Sequence, residues 1–322
     1  MPSLAFSAKS TGAEVAQAFS QYIKGKTVLV TGGTLGGLGA EFAATIVKHA
    51  PRLVVVTARS EEKIHETFES IRGVTPGAPL RSLLLDLNSL KDVRRAAEEV
   101  NGYPETIDVI VHNAGVAGCP INRTEDGLTT VIASNHAGPF LLTKLLLPKM
   151  LSDGRSPRIV IVGSGAHRFV KGFRWEDPLY LKEDEYQGNS AYSESKILNQ
   201  LLAPALVRKS GGRVKAYSCS PGMVTTQLSR YLTREQKLAM GFINEDGSPK
   251  TEGFRSVQQG ISSYLVAAFD PTLLDTPGAH ISSSCKVAPE DVADFAKGEE
   301  LEDRMWSLSE AWIGEKFDAT AL

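Results

Sequence analysis

Short apolar runs rich in Val and Ile alternate with helical stretches along most of this chain, and this alternation restricts the possible folds more than any other feature. The runs are KTVLVTG from Lys26, then RLVVVTA, RSLLLD, DVIVHNAG, RIVIVGS, RVKAYSCS and GAHISSS. Strands that are apolar on both faces and separated by helices are typical of a parallel sheet covered on both sides. The sequence therefore predicts an α/β protein with one doubly wound parallel sheet of about seven strands and helices on both faces.

The predicted domain spans the whole chain, residues 1–322, because no internal repeat or low-complexity linker divides it. Residues 1–24 form a predicted helical extension, in which Val15, Phe19 and Ile23 recur every four residues. Two long stretches, 168–189 and 227–252, interrupt the alternation. Stretches of this length inside a compact domain usually form a lid or line a site, so we interpret both as substrate loops. A disordered insert is the alternative, although both stretches contain aromatic residues that linkers avoid.

The composition excludes several classes of function. The 322 residues are 42% hydrophobic and 22% charged, with a net charge of −2, whereas a nucleic-acid partner would need clustered Lys and Arg. No apolar run is long enough to span a membrane and no signal peptide is recognisable, so the sequence predicts a cytoplasmic protein without an integral membrane segment. Cys119, Cys219 and Cys285 lack metal-ligand spacing, which indicates buried free thiols and no metal site.

A glycine-rich turn, VLVTGGTLGGLGAEF, lies where the first strand passes into a helix. Gly32, Gly36, Gly37 and Gly39 would let the backbone approach a pyrophosphate, and the free N–H groups of the helix N-terminus would face its negative charge. A merely tight turn is the alternative, but the strand-to-helix position favours a dinucleotide site and a Rossmann-like fold.

The end of the second strand indicates which dinucleotide is bound. A site selective for NAD would place Asp or Glu about 20 residues after the glycines, on the ribose hydroxyls. Arg59 lies there instead, 20 residues after Gly39, and its guanidinium suits the 2′-phosphate of NADP(H). A solvated arginine at a helix start is the alternative. Asp86, at the end of the third strand, could meet the adenine or could equally cap the next helix.

Four polar residues are candidates for catalysis. Tyr192 and Lys196, in SAYSESK, are four residues apart and would share one face of a helix. By themselves they also fit a core tyrosine beside a lysine whose ammonium reaches solvent. Ser164, however, ends the fifth strand at the edge of the sheet where open α/β folds bind ligands, and Asn135 is polar within an apolar stretch. NAG, residues 113–115, ends the fourth strand with a backbone that can admit a flat ring.

Together with PGMVTT at residues 221–226, these motifs follow the order found in short-chain dehydrogenases/reductases, and the chain resembles that family from about Lys26 to Thr226. GGLGAEF, GSGAH and MWSLSEAWIGEKF are similar to the group of retinol dehydrogenases and related fungal reductases. The resemblance implies that Tyr192 is the general acid and base, that Lys196 assists it, that Ser164 holds the substrate oxygen and that Asn135 positions a water. It also implies cofactor contacts from Gly32, Thr34, Leu35, Gly37, Leu38, Gly39, Arg59, Asp86, Leu87, Asn113, Ala114, Gly115, Tyr192, Lys196, Pro221, Gly222, Val224 and Thr226.

Two expectations about the catalytic residues can be compared with the structure. A free tyrosine has a pKa of about 10, and the resemblance implies that the Lys196 ammonium and the positive nicotinamide ring favour the phenolate of Tyr192. Ser164 and Tyr192 are 28 residues apart, a wider gap than in most of the family. The stretch between them must therefore fold away from the cleft if the two hydroxyls are to meet.

The sequence thus predicts an NADP(H)-dependent oxidoreductase that interconverts a carbonyl and an alcohol on a hydrophobic small molecule. Aromatic and apolar residues in the two long stretches favour such a substrate, although side chains of this kind are more often core. Two alternatives keep the cofactor, namely an NADP(H)-binding sensor or scaffold and a non-redox enzyme of the cyclase type. The family implies either a homo-oligomer or a monomer.

Overall fold

The computed structural model describes residues 6–248 and 250–321 and contains a sheet of seven strands. The strands are β1 (Thr27–Val30), β2 (Leu53–Ala58), β3 (Leu80–Leu84), β4 (Val109–His112), β5 (Arg158–Val162), β6 (Lys215–Cys219) and β7 (His280–Ile281). Neighbouring strands are parallel throughout the sheet. Each strand coincides with one of the seven apolar runs, so the predicted α/β fold with a doubly wound parallel sheet is confirmed.

Helices connect the strands and cover both faces of the sheet. They are α1 (Gly12–Ala18), α2 (Ser20–Ile23), α3 (Leu38–Ile46), α4 (Glu61–Val74), α5 (Leu90–Asn101), α6 (Thr130–Ile132), α7 (Gly138–Met150), α8 (Gly188–Lys209), α9 (Arg234–Ala239), α10 (Val257–Gly260), α11 (Ser262–Phe269) and α12 (Glu299–Ile313). A π-helical turn, Ala133–Ala137, joins α6 to α7. Short 3₁₀ turns follow β5 and precede α12.

Alternate residues of the central strands face two hydrophobic cores on opposite sides of the sheet. Leu29, Val55 and Ile110 belong to the core shared with α5, α7, α8 and α12. Val28 and Val54 belong to the core shared with α1, α3 and α11. Because both faces are covered, these strands have no polar face, and this is why they form continuous apolar runs in the sequence.

The order of the strands brings the predicted motifs to one edge of the sheet. The order is β3-β2-β1-β4-β5-β6-β7, so the chain winds in opposite directions on either side of the β1–β4 pair. In open α/β sheets, ligands bind outside the carboxyl ends of the strands at such a reversal. The glycine-rich turn follows β1 and NAG follows β4, which places both motifs at this crevice.

Two features read from composition can also be compared with the structure. Cys119, Cys219 and Cys285 are buried free thiols, as predicted. Within residues 6–248 and 250–321, no helix combines the length and the apolarity needed to cross a membrane.

Candidate active site

A cleft of about 460 Å³ opens at the carboxyl ends of the strands. It is lined by most of the residues predicted to contact a cofactor, namely Gly32, Thr34, Leu35, Gly37, Leu38, Arg59, Asp86, Leu87, Asn113, Ala114, Gly115, Tyr192, Lys196, Pro221 and Thr226. Three other predicted cofactor contacts, Gly39, Gly222 and Val224, do not line it.

The turn after β1 leaves no room for side chains. Gly32 has a φ of 74°, in the left-handed region that favours glycine. A Cβ at Gly33 would lie 2.0 Å from Cγ1 of Val56, and one at Gly39 would lie 2.6 Å from the carbonyl oxygen of Gly32. Gly39 therefore supports the turn from beneath instead of lining the cleft. The close packing creates a cradle that fits the pyrophosphate of a dinucleotide.

The N-terminus of α3 supplies the charge complementarity of this cradle. Gly37 occupies the N-cap position and provides no side-chain cap, so the first N–H groups of α3 are not bonded by its side chain. Those groups and the helix dipole favour an anion at this point. Gly37 and Leu38 therefore lie at the start of the helix.

Asn113 fastens the glycine-rich turn to β4. Its Nδ2 donates to the carbonyl oxygens of Thr31 at 2.8 Å and Gly32 at 3.0 Å, and its Oδ1 accepts a hydrogen bond from the Tyr264 hydroxyl at 3.2 Å. The Thr31 hydroxyl accepts from the backbone N–H of Ala114 at 3.0 Å. These bonds fix two walls of the cleft relative to one another.

Arg59 and Asp86 lie at the far end of the cleft. Arg59 is exposed and has no hydrogen bond or ion pair with any residue that the structure describes. Asp86 does not cap α5, because Ser89 is the N-cap residue and Asp86 accepts instead from the backbone N–H of Asn88 at 3.0 Å. The alternative interpretation of Asp86 as a helix cap is therefore wrong.

Tyr192 and Lys196 point into the cleft from the first turns of α8. Lys196 Nζ lies 5.5 Å from the Tyr192 ring centroid and donates to the carbonyl oxygen of Val162 at 2.8 Å. Burial lowers the pKa of Lys196 to about 8. Burial raises the pKa of Tyr192, and the Ser164 hydroxyl opposes that effect. Burial is the larger of these two effects, so the protein's own groups raise the pKa of Tyr192 and keep it as a phenol.

Ser164 lies close enough to Tyr192 for its hydroxyl to lower the pKa of the phenol, although 28 residues separate them in sequence. Its Oγ accepts the backbone N–H of Ala166 at 3.1 Å and so caps the 3₁₀ turn Gly165–Phe169. Since that bond uses a lone pair of the hydroxyl oxygen, the O–H remains free to donate. The arrangement leaves a hydrogen-bond donor beside the phenol of Tyr192.

Asn135 lies in the π-helical turn between α6 and α7, beside the cleft. Its Nδ2 donates to the carbonyl oxygen of Val116 at 3.0 Å and to Ser195 Oγ at 2.9 Å, and its Oδ1 accepts from Val116 N at 2.8 Å. Both ends of the amide are thus engaged, and the side chain positions the backbone that follows NAG.

The stretch 168–189 folds away from the cleft, and none of its residues lines it. Phe173 is buried in the core shared with α8 and α12, while Tyr180 packs with Val116 and Cys119. A role for this stretch at the substrate site stays a prediction. Phe173 and Tyr180 are core, in line with the alternative interpretation, whereas Phe169 is 83% exposed.

The stretch 227–252 does border the cleft. Gln227, Leu228 and Arg230 line the cleft next to Thr226. Leu232 is buried against Gly118, where a Cβ on the glycine would lie 2.6 Å from the Leu232 side chain. This stretch therefore borders the cleft, and its contact with a substrate stays a prediction.

The PGMVTT segment is held by a residue that the sequence analysis did not single out. The guanidinium of Arg255 donates to the carbonyl oxygens of Pro221, Ser283 and Ala8. The backbone N–H of Arg255 donates to the carbonyl oxygen of Met223 at 2.8 Å. Gly222 has a φ of 78°. The segment is therefore fixed by a distant part of the chain.

Other lining residues were missed for identifiable reasons. Lys63 lies in the first turn of α4, shortly after Arg59, so its nearness in sequence could have revealed it. Tyr264 comes from α11, and no local pattern connects it with the glycines. The remaining unpredicted lining residues are Thr57, Ala58, Leu85, Val116, Ser134, Val162 and Gly163.

The fold and this site define a nucleotide-dependent oxidoreductase class, and comparison with known proteins identifies the family. A family model described as short chain dehydrogenase matches residues 26–175. The chain is 32% identical to the chloroplastic short-chain dehydrogenase TIC 32 A of Brassica napus, over 88% of this chain and 87% of that protein. It is 32% identical to human retinol dehydrogenase 13, over 91% of this chain and 86% of that protein. The chain belongs to the short-chain dehydrogenase/reductase family, as the motifs predicted, and its relatives include retinol dehydrogenases.

Solved structures share the fold. A protein from Mycobacterium paratuberculosis is 26% identical, with a TM-score of 0.70 over 92% of this chain and 96% of that chain. A short chain dehydrogenase from Escherichia coli CFT073, complexed with NADPH, is 21% identical, with a TM-score of 0.61 over 82% of this chain and 98% of that chain.

Proposed function

We propose that the protein is an NADP(H)-dependent oxidoreductase that interconverts a carbonyl and an alcohol on a hydrophobic small molecule. The observation that carries the proposal is the convergence of Ser164, Tyr192 and Lys196 beside a glycine cradle. These three side chains come from the turn after β5 and from α8, and each has the chemistry that hydride transfer to a carbonyl requires from its surroundings.

The cofactor, when bound, supplies the hydride, and the chain's own groups manage the proton and the charge. The free O–H of Ser164 donates to the substrate oxygen and stabilises its developing negative charge. Tyr192, held as a phenol by burial, gives its proton to that oxygen in the direction of reduction. Lys196 stabilises the phenolate that remains, since its ammonium is buried close to the ring. Any water held by Asn135 would bind its main chain, because Val116 and Ser195 occupy the side chain.

Arg59 and Lys63 support a preference for NADP(H). Both are exposed cations at the end of the cleft near β2, and Arg59 has no partner among the residues described. Two cations, with no acidic residue at the end of β2 where one would bind a ribose diol, suit a 2′-phosphate. The NADPH complex of the Escherichia coli neighbour agrees with this choice.

The hydrophobic substrate class rests on the loop after Thr226. Leu228 lines the cleft and Leu232 is buried beside it. Relatives named for retinol, an apolar alcohol, are consistent with such a substrate. A cytoplasmic location stays a prediction, since one relative is described as chloroplastic.

The experiment is NADPH consumption, followed by its near-ultraviolet absorbance, with a panel of aromatic and aliphatic ketones and aldehydes. Wild-type turnover should fall by about 10²- to 10⁴-fold in Tyr192→Phe, which is the contribution typical of a general acid. Tyr22→Phe, outside the cleft, is the matched control and should keep full activity. Tight NADPH binding without turnover of any carbonyl would instead favour the sensor, scaffold or non-redox alternatives.

A further inference from the structure

His167 connects the turn that carries Ser164 with the C-terminal part of the chain. The imidazole is 1% exposed. Its Nδ1 lies 2.6 Å from the carbonyl oxygen of Ser164, and its Nε2 lies 3.2 Å from the backbone nitrogen of Ala293, 126 residues further along. Both ring nitrogens therefore have a hydrogen-bond partner, one in the turn that carries Ser164 and the other in the C-terminal part of the chain.

These contacts determine the tautomer of the ring. The Ala293 N–H can only donate, so Nε2 must accept, and the proton of the neutral imidazole must lie on Nδ1. That proton is donated to the Ser164 carbonyl oxygen. Burial lowers the pKa of His167, in agreement with a neutral ring.

Ser164 is consequently held at two points. Ala166 N–H bonds its hydroxyl oxygen and His167 bonds its carbonyl oxygen. The segment that carries Ala293 is itself anchored, because its neighbours Val292 and Ala296 are buried in the core shared with α8 and α12. The imidazole ring thus fixes the Ser164 peptide relative to a packed C-terminal segment.

We infer that His167 is a positioning residue, which holds Ser164 in place for the substrate oxygen by joining it to Ala293. This inference rests on the proposed function of Ser164. It gives the C-terminal segment around residue 293, which lies outside the catalytic motifs, a part in positioning Ser164.

Three substitutions separate the two bonds. His167→Asn keeps a donor near the position of Nδ1, His167→Gln keeps an acceptor near that of Nε2, and His167→Leu keeps neither. Because the link needs both bonds, we expect kcat to fall by roughly 10- to 100-fold in all three variants, the cost of slightly misplacing a catalytic group, with KM for NADPH unchanged. His49→Leu, outside the cleft, is the control and should behave as wild type.

A double-mutant cycle tests whether His167 acts through Ser164. In a Ser164→Ala background, His167→Leu should cause no further loss of kcat. An equal loss of kcat with and without Ser164, or an Asn or Gln variant as active as wild type, would overturn the inference. If the Leu variant does not fold, the Asn and Gln variants decide the question.

Amide hydrogen exchange gives a readout that does not need turnover. The Ala293 amide should exchange at least tenfold faster in His167→Asn and His167→Leu than in wild type, while Ser164→Ala should leave it protected. Absence of turnover in wild type would refute the proposed function but leave this measurement valid. Unchanged protection of Ala293 in both variants would refute the role of His167.

Discussion

At the scale of single residues, Arg59 shows how a local pattern can identify a side chain that does not contribute to packing. It follows β2 directly, and the strand that precedes it is buried throughout. The side chain is exposed and unpaired among the described residues, so its replacement should cost little stability. The replacement of Arg59 should instead change the affinity for the cofactor.

Arg59→Ala should reduce the preference for NADPH over NADH by about 10- to 150-fold, the loss expected for a charged hydrogen bond of about 1.5–3 kcal/mol. The measurement is kcat/KM for each cofactor. Arg72→Ala, which replaces an exposed arginine on α4, the helix that follows Arg59, is the control. Equal losses with both cofactors would contradict a role in reading the 2′-phosphate.

At the scale of elements, the stretch 168–189 is joined to α8 by a buried carboxyl group. The Tyr180 hydroxyl donates to Glu194 Oε2 at 2.9 Å, and the Arg174 guanidinium lies 4.2 Å from the Tyr180 ring centroid. Burial raises the pKa of Glu194 to about 7, against the smaller effects of Tyr180 and Arg174. Ionisation of Glu194 should therefore weaken the packing of this stretch on the catalytic helix.

A carboxyl group whose pKa is raised by folding stabilises the protein below its unfolded pKa, and this stability is lost as the pH rises through the folded value of about 7. Glu194→Gln cannot ionise and keeps an acceptor for Tyr180. The free energy of unfolding of Glu194→Gln minus that of wild type should increase by about 2 kcal/mol as the pH is raised from about 5 to 8. Denaturant unfolding at both pH values measures this change. Glu176→Gln, on an exposed residue of the same stretch, should show no such trend.

At the scale of the whole molecule, the C-terminal helix completes the core next to the catalytic helix. Trp306 on α12 stacks on Phe317 at 4.8 Å between ring centroids and meets Phe140 of α7 edge-on at 5.0 Å. All three side chains are buried. The end of the chain is thus part of the same packing unit as α7 and α8.

Trp306→Ala should lower the free energy of unfolding by about 3–5 kcal/mol, because it removes a large buried ring and leaves a cavity. Thermal or denaturant unfolding measures this loss. Trp175→Ala, at a partly buried ring on the edge of the same core, should cost less. A loss at Trp306 no greater than at Trp175 would show that α12 is not integral to the core.

The sequence by itself determined the strands, the glycine cradle and the order of the catalytic motifs. Strands buried on both faces must be apolar throughout, so each β-strand was visible as a run. The cradle needs glycine wherever a Cβ would collide, as at Gly32 and Gly39, and this requirement leaves a local signature. Tyr192 and Lys196 could be paired because helical spacing is regular.

Only the tertiary structure decided which long stretch borders the cleft, and which distant residues support it. The aromatic residues of 168–189 and the apolar residues of 227–252 look alike in sequence, since core packing and substrate contact select the same side chains. Arg255, Tyr264 and Ala293 reach the site from far along the chain, so no spacing rule connects them with it. The pKa of Tyr192 likewise depends on burial, which is a property of the folded chain and not of the motif.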